Sequence, residues 1–201
     1  HEHFSYLSLR TVQRLFADHG LAIWDVEALP THGGSLRVWA QPVGGPWVPT
    51  GALERVLAQE SAAGMTGRAF YTGFQARAER VKDDFLRLLL EFKREGRRVA
   101  AYGAAAKGNT LLNYAGVRGD LIGYVVDASP HKQGRYLPGS RIPVVAESRL
   151  RETRPDVIVI LPWNLREEIA GQLAYTAQWG ARFVTAVPSI EVFAAGARSG
   201  S

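Results

Sequence analysis

Residues 98–113 constrain this chain more than any other stretch. Val99-Ala100-Ala101-Tyr102 is a short apolar run, residues 103–108 are all small except Lys107, and Asn109 or Thr110 is placed to open a helix. A strand, a small-residue loop and a helix N-terminus gather backbone N–H groups and a helix dipole at one spot, which makes an anion site. Around this unit strand and helix patterns alternate. Strands are expected at residues 98–102, 121–126, 142–145, 157–161 and 182–187, with helices near 110–117, 147–152, 165–178 and 190–195. Val157-Ile158-Val159-Ile160-Leu161 is apolar at every position, as a strand covered on both faces must be. The expected fold class is α/β: a Rossmann-like, doubly wound, mostly parallel sheet.

The earlier residues follow another pattern. Apolar positions Leu9, Val12, Leu15 and Phe16 predict a helix over residues 5–18, with Ser8 as cap and Gly20 as its left-handed stop. Strands are expected at 21–29 and 35–40, joined by the turn Pro30-Thr31-His32-Gly33-Gly34. A helix and a hairpin do not bury a core of their own, so this piece is expected to complete a larger sheet. Residues 41–49, rich in Pro and Gly, read as a linker. A helix near 52–62 follows, with Thr50 as candidate cap, and then one long helix over 68–95. Its stripe of Phe74, Ala78, Val81, Phe85, Leu88, Leu89 and Phe92 is expected to pack on the next domain. The expected organisation is three segments, 1–42, 43–96 and 97–201.

Composition narrows the chemistry. Without Cys, these 201 residues hold no disulfide, no thiol nucleophile and no thiolate metal site. The 24 basic and 19 acidic residues leave a net charge of +5, but the cations are scattered. That favours phosphorylated small molecules over nucleic acid. No apolar run approaches the ~20 residues of a membrane span, and no secretory leader opens the chain, so a cytoplasmic setting is expected.

Ligands of open α/β sheets lie beyond the carboxyl ends of the strands. Residues there are therefore the candidates for substrate binding: Gly103, Lys107, Gly108, Asn109 and Thr110 after the first strand, Asp127, His131 and Lys132 after the second, Trp163 and Asn164 after the fourth. The first loop is neither Gly-x-Gly-x-x-Gly nor a Walker A loop. It fits a phosphate cradle or a tight turn with a solvated Lys. Asp127 is placed to bind ribose hydroxyls or to cap its own turn. Trp163 offers a base-stacking surface or core packing. His1-Glu2-His3 is the densest titratable cluster. It suits an acid/base pair, part of a metal site or an uninformative chain end, and two imidazoles are too few for a closed metal site. A His tuned by a neighbouring Glu is a competent base near pH 7.

Several stretches together carry a resemblance: His1-Glu2-His3-Phe4-Ser5-Tyr6, Leu29-Pro30-Thr31-His32-Gly33-Gly34-Ser35-Leu36-Arg37, Tyr102-Gly103-Ala104-Ala105-Ala106-Lys107-Gly108-Asn109-Thr110-Leu111-Leu112-Asn113, Val126-Asp127-Ala128-Ser129-Pro130-His131-Lys132-Gln133-Gly134 and Leu161-Pro162-Trp163-Asn164-Leu165. In this order they resemble the sugar C-methyltransferases, which act on nucleotide-linked 4-ketohexoses in deoxysugar and antibiotic pathways. The resemblance implies three parts: a Cys-ligated zinc domain, a class I domain binding S-adenosylmethionine, and a Rossmann-like carboxy-terminal domain. This chain lacks Cys and any glycine-rich S-adenosylmethionine loop before residue 98. It is thus expected to hold the tail of the methyltransferase domain, linker helices and the carboxy-terminal domain, with zinc and most S-adenosylmethionine contacts in preceding domains of the same protein. The resemblance further implies that His3 is the base that removes the sugar C3 proton and that Glu2 orients or polarises His3 or acts on the sugar directly. The expected partner is a nucleotide-linked deoxysugar, with dTDP as its nucleotide. The competing reading is a standalone Rossmann-like nucleotide-binding or NAD-dependent oxidoreductase module. It suits Asp127 but lacks the glycine fingerprint and a Tyr-x-x-x-Lys pair.

Overall fold

A computed structural model describes residues 5–31 and 34–195. His1, Glu2, His3 and His32 therefore lie outside the described residues. The chain divides into two compact units, residues 1–75 and 76–201.

In the first unit, α1 (Leu9–Ala17) leads into the antiparallel hairpin of β1 (Leu21–Leu29) and β2 (Ser35–Pro42), followed by α2 (Gly51–Ala62) and α3 (Arg68–Thr72). Ser8 caps α1 as expected, its hydroxyl accepting from the Thr11 amide at 3.2 Å. A second cap comes from far along the chain. The buried Glu60 carboxylate of α2 accepts from the Leu9 amide at 2.5 Å and the Arg10 amide at 3.0 Å. A carboxylate on the positive end of a helix is favourable, and here it locks α2 to α1. Leu9, Ile23, Val26 and Leu53 form the small core, so α2 supplies what the helix and hairpin lack.

Residues 41–49 are tied down. The Gln41 side chain bonds both the amide and the carbonyl of Trp47, and Trp47 stacks on Trp24 with ring centroids 5.1 Å apart. Thr50 occupies the cap position of α2, but its hydroxyl donates to Asp25 of β1 instead of capping the helix.

The second unit is built on a six-stranded sheet. Its elements are α4 (Phe74–Arg94, almost wholly within this unit), β3 (Val99–Tyr102), α5 (Ala106–Tyr114), β4 (Val125–Val126), β5 (Val144–Val145), α6 (Ser148–Thr153), β6 (Val157–Ile160), α7 (Arg166–Gln172), β7 (Arg182–Thr185) and β8 (Glu191–Ala194). The strand order is β5-β4-β3-β6-β7-β8, parallel except for β8. This is the doubly wound order, with its switch point between β3 and β6. Phe85, Leu89 and Phe92 of α4 and Leu111 and Leu112 of α5 cover one face; Leu150, Ile169 and Leu173 cover the other. β6 is buried at every position, as its composition requires.

Several expected elements take another form. The helix over 68–95 is broken at Gly73 into α3 and α4, since glycine is a poor helix former. Phe74 is 65% exposed, so the packed stripe of α4 starts at Val81 rather than at Phe74. The helix after β3 begins at Ala106, not at Asn109 or Thr110, because Ala106 and Lys107 are good helix formers and Gly108 packs closely on Leu161. Lys107, Gly108, Asn109 and Thr110 thus belong to its first turns, and the loop shrinks to Gly103-Ala104-Ala105. Residues 190–195 do not form a helix: β8 pairs antiparallel with β7, Phe183 opposite Phe193. Ile190 and Val192 pack on one core while Phe193 and Ala195 pack on the other, a period of two that only a strand satisfies. Cross-strand pairing with β7 settles the state.

Candidate functional site

The carboxyl edge of β3, beside the switch point, carries the most organised constellation. The chain leaves Tyr102 through Gly103, whose φ of +90° is a left-handed value natural to glycine. A Cβ there would lie 2.4 Å from Cγ of Pro162, the residue that leaves β6. Gly108 is the second close approach: a Cβ on it would lie 2.6 Å from Cβ of Leu161. Gly103 therefore makes the tight turn and Gly108 lets α5 lie against β6. These are the tasks of the first and last glycines of a dinucleotide fingerprint, with Ala105 at the middle position. The spacing Gly-x-Ala-x-x-Gly was the available signal, and a literal search for glycines passes over it.

No side chain caps α5. Its first-turn amides lie at the edge where a phosphate group binds in such folds, and Lys107 is exposed in the same turn.

Asp127, immediately after β4, closes the other side of this loop. Its Oδ2 accepts from the Ala104 amide at 2.8 Å and from Lys132 Nζ at 3.1 Å; its Oδ1 accepts from the Ser129 amide at 2.9 Å. Lys132 also donates to the Ala104 carbonyl at 3.1 Å. Asp127 and Lys132 thus fasten the β3 loop to the β4 loop. Burial alone pushes the Asp127 carboxyl up, but the Ser129 amide, Lys132 and the Ala104 amide outweigh it and leave the group below its ordinary value of 3.8. A carboxyl held low in the folded state stabilises the fold above that ordinary value and loses the contribution as pH falls through the folded one. Asp127→Asn should cost about 1–2 kcal/mol at pH 7 in denaturant unfolding, from weakened bonds to charge. The gap to wild type should narrow below pH 3.8.

The other candidates sit nearby without joining this cluster. His131 is exposed, its carbonyl holding Arg135 at 2.9 Å. Trp163 is half-buried in a 3₁₀ turn after β6, and Asn164 beside it is exposed. On the opposite face of the sheet, Gln172 donates to the Tyr102 hydroxyl at 2.7 Å and to Glu147 at 2.9 Å, and Tyr175 donates to Glu147 at 3.1 Å. Burial and then that Glu147 contact push Tyr175 up to about 12. Burial likewise pushes Tyr102 up, so this network stays neutral at its tyrosines and acts as packing.

The cluster suits anion binding better than hydride chemistry with a dinucleotide. Ala105 places a methyl where the fingerprint wants the closest backbone approach, and Asp127 is already engaged by two amides and a lysine. Among the described residues no group of acidic or histidine side chains is placed to hold a metal, and no helix is long and apolar enough to cross a membrane.

Comparison with known proteins agrees with this architecture. The C-methyltransferase C-terminal domain family matches residues 30–188. A curated relative, C-methyltransferase NovU from Streptomyces niveus, is 36% identical over 195 residues, covering 97% of this chain and 46% of that protein. The chain thus spans about half the length of the relative it matches. With the family match running from the hairpin turn through β2, the long helix and the five parallel strands of the sheet, this chain belongs to the C-methyltransferase C-terminal domain family.

Proposed function

We propose that this chain is the substrate-side part of an S-adenosylmethionine-dependent enzyme that C-methylates a nucleotide-linked 4-keto-deoxyhexose. The observation that carries this reading is an uncapped α5 N-terminus with Lys107, placed by two glycines at the switch point of a domain belonging to a C-methyltransferase family. Gly103, Gly108, the α5 amides and Lys107 hold the diphosphate, and Asn109 and Thr110 line the same turn. Asp127 and Lys132 keep the loop in shape. His131, Trp163 and Asn164 are proposed on the rim toward the nucleotide.

His3 removes the proton at C3, whose acidity comes from the adjacent C4 ketone, and Glu2 orients its imidazole. The enolate oxygen needs a donor or cation close by while charge develops there. S-adenosylmethionine supplies the electrophilic methyl group and is bound mainly by chain outside these residues. The described residues contain no second glycine-rich strand-to-helix turn that fits it, and zinc belongs to that outside chain as well. The segments 1–42, 43–96 and 97–201 are read as methyltransferase-domain tail, connector and carboxy-terminal domain.

Calorimetric titration of the intact protein with dTDP tests the binding half. Lys107→Ala should weaken the affinity about tenfold, the scale of one charge-assisted contact. Unchanged affinity would remove Lys107 from the site.

A further inference from the structure

The two arginines at the amino end of α4 break a local rule. Arg77 closes the first turn of a 21-residue helix and Arg80 follows one turn later, with no acidic residue in the first turn. Helix dipoles disfavour cations in the first turn, which holds Arg77; Arg80 lies just beyond it. Both side chains are exposed, and among the described residues neither is held in an ion pair or a hydrogen bond. Asp84, on the same helix face, is already engaged by Arg87 at 2.8 Å. A local rule broken without compensation marks functional sites.

These arginines line a cavity of about 250 Å³ between α4 and the turn after β7. Val81 and Ile190, both packed on the core, give it an apolar floor, Ser189 adds a hydroxyl at its rim, and the Asp84 carboxylate, its charge offset by Arg87, also lines it. It opens at the carboxyl end of β7, the edge where ligands of such sheets bind. β6 separates β7 from β3, so these two strands run two strand spacings, about 10 Å, apart in the sheet.

We propose that the Arg77–Arg80 cavity is a second phosphate subsite, separate from the α5 turn, that takes a diphosphate group. Two guanidiniums one helical turn apart offer planar forks that match phosphate oxygens in pairs. The diphosphate belongs either to a nucleotide, whose flat base rests on Val81 and Ile190, or to free pyrophosphate. The site stands or falls without Lys107.

The test is calorimetric titration of the intact protein carrying Lys107→Ala, with sodium pyrophosphate and with dTDP. Both should still bind, and adding Arg77→Gln and Arg80→Gln should weaken both at least about tenfold. Arg77→Lys with Arg80→Lys keeps the charge and should fall between. Tighter binding of dTDP than of pyrophosphate identifies a nucleotide as the ligand; equal binding identifies free pyrophosphate. No binding to the Lys107→Ala protein overturns the proposal, as does equal affinity with and without the two arginines.

Discussion

His3→Asn in the intact protein should lower the rate of C-methylation by about 10²–10⁴-fold, the usual contribution of a general base, while leaving affinity for the nucleotide sugar near wild type. Asparagine keeps the size and one hydrogen-bonding edge of the imidazole but takes up no proton near neutral pH. A residue that only positioned the sugar would raise KM with little change in kcat; a base lowers kcat. Glu2→Gln should fall between, because it removes the charge that orients the imidazole and leaves the base itself. Steady-state kinetics with saturating sugar separates these outcomes, and full turnover by His3→Asn would remove His3 from the chemistry.

Gly103→Ala should lower stability by about 2–4 kcal/mol, or roughly 5–15 °C in Tm for a chain of this length. Two costs combine at this position. The backbone sits at φ +90°, and the new methyl would lie 2.4 Å from the rigid ring of Pro162. Two other glycines separate these costs. Gly116 has φ +70° with nothing within 4 Å of a Cβ, so its alanine variant carries only the conformational part. Gly108 has an ordinary backbone but a Cβ would meet Leu161 at 2.6 Å, so its variant carries only the packing part. Thermal unfolding of the three variants should rank Gly103→Ala as the most damaging. Equal losses at 103 and 116 would mean that Pro162 moves aside freely and that the turn is less constrained than its geometry indicates.

Much of the sheet was legible because hydrophobic patterning determines it. The run 157–161 could only be a strand buried on both faces, and residues 21–29 and 35–40 alternated clearly enough to give the hairpin. What was illegible depended on contacts far along the chain. Residues 190–195 read as helix locally, and pairing with β7 makes them a strand. The start of α5 was misplaced because Gly108 looked like a loop glycine; its role is close packing on Leu161, a residue more than fifty positions away. Sequence alone leaves Asp127 open between ribose binding and turn capping. Its bonds to the Ser129 and Ala104 amides give the capping role a physical basis and extend it to the neighbouring loop. Arg77 and Arg80 lie on the exposed side of α4. Their position at the wrong end of a helix dipole becomes informative once the cavity beneath them is seen. The His1-Glu2-His3 reading rests on resemblance and lies outside the described residues.

The proposed reaction is carbon methylation of a nucleotide-linked keto sugar, begun by removal of the proton beside the ketone. The most direct measurement follows the intact protein with a dTDP-4-keto-6-deoxyhexose and ¹³C-methyl S-adenosylmethionine by NMR. A labelled methyl bonded to carbon C3 of the sugar is expected, with exchange of the C3 hydrogen in deuterated water that His3→Asn abolishes. Label appearing on a sugar oxygen, or methyl transfer that proceeds equally well in His3→Asn, would contradict it.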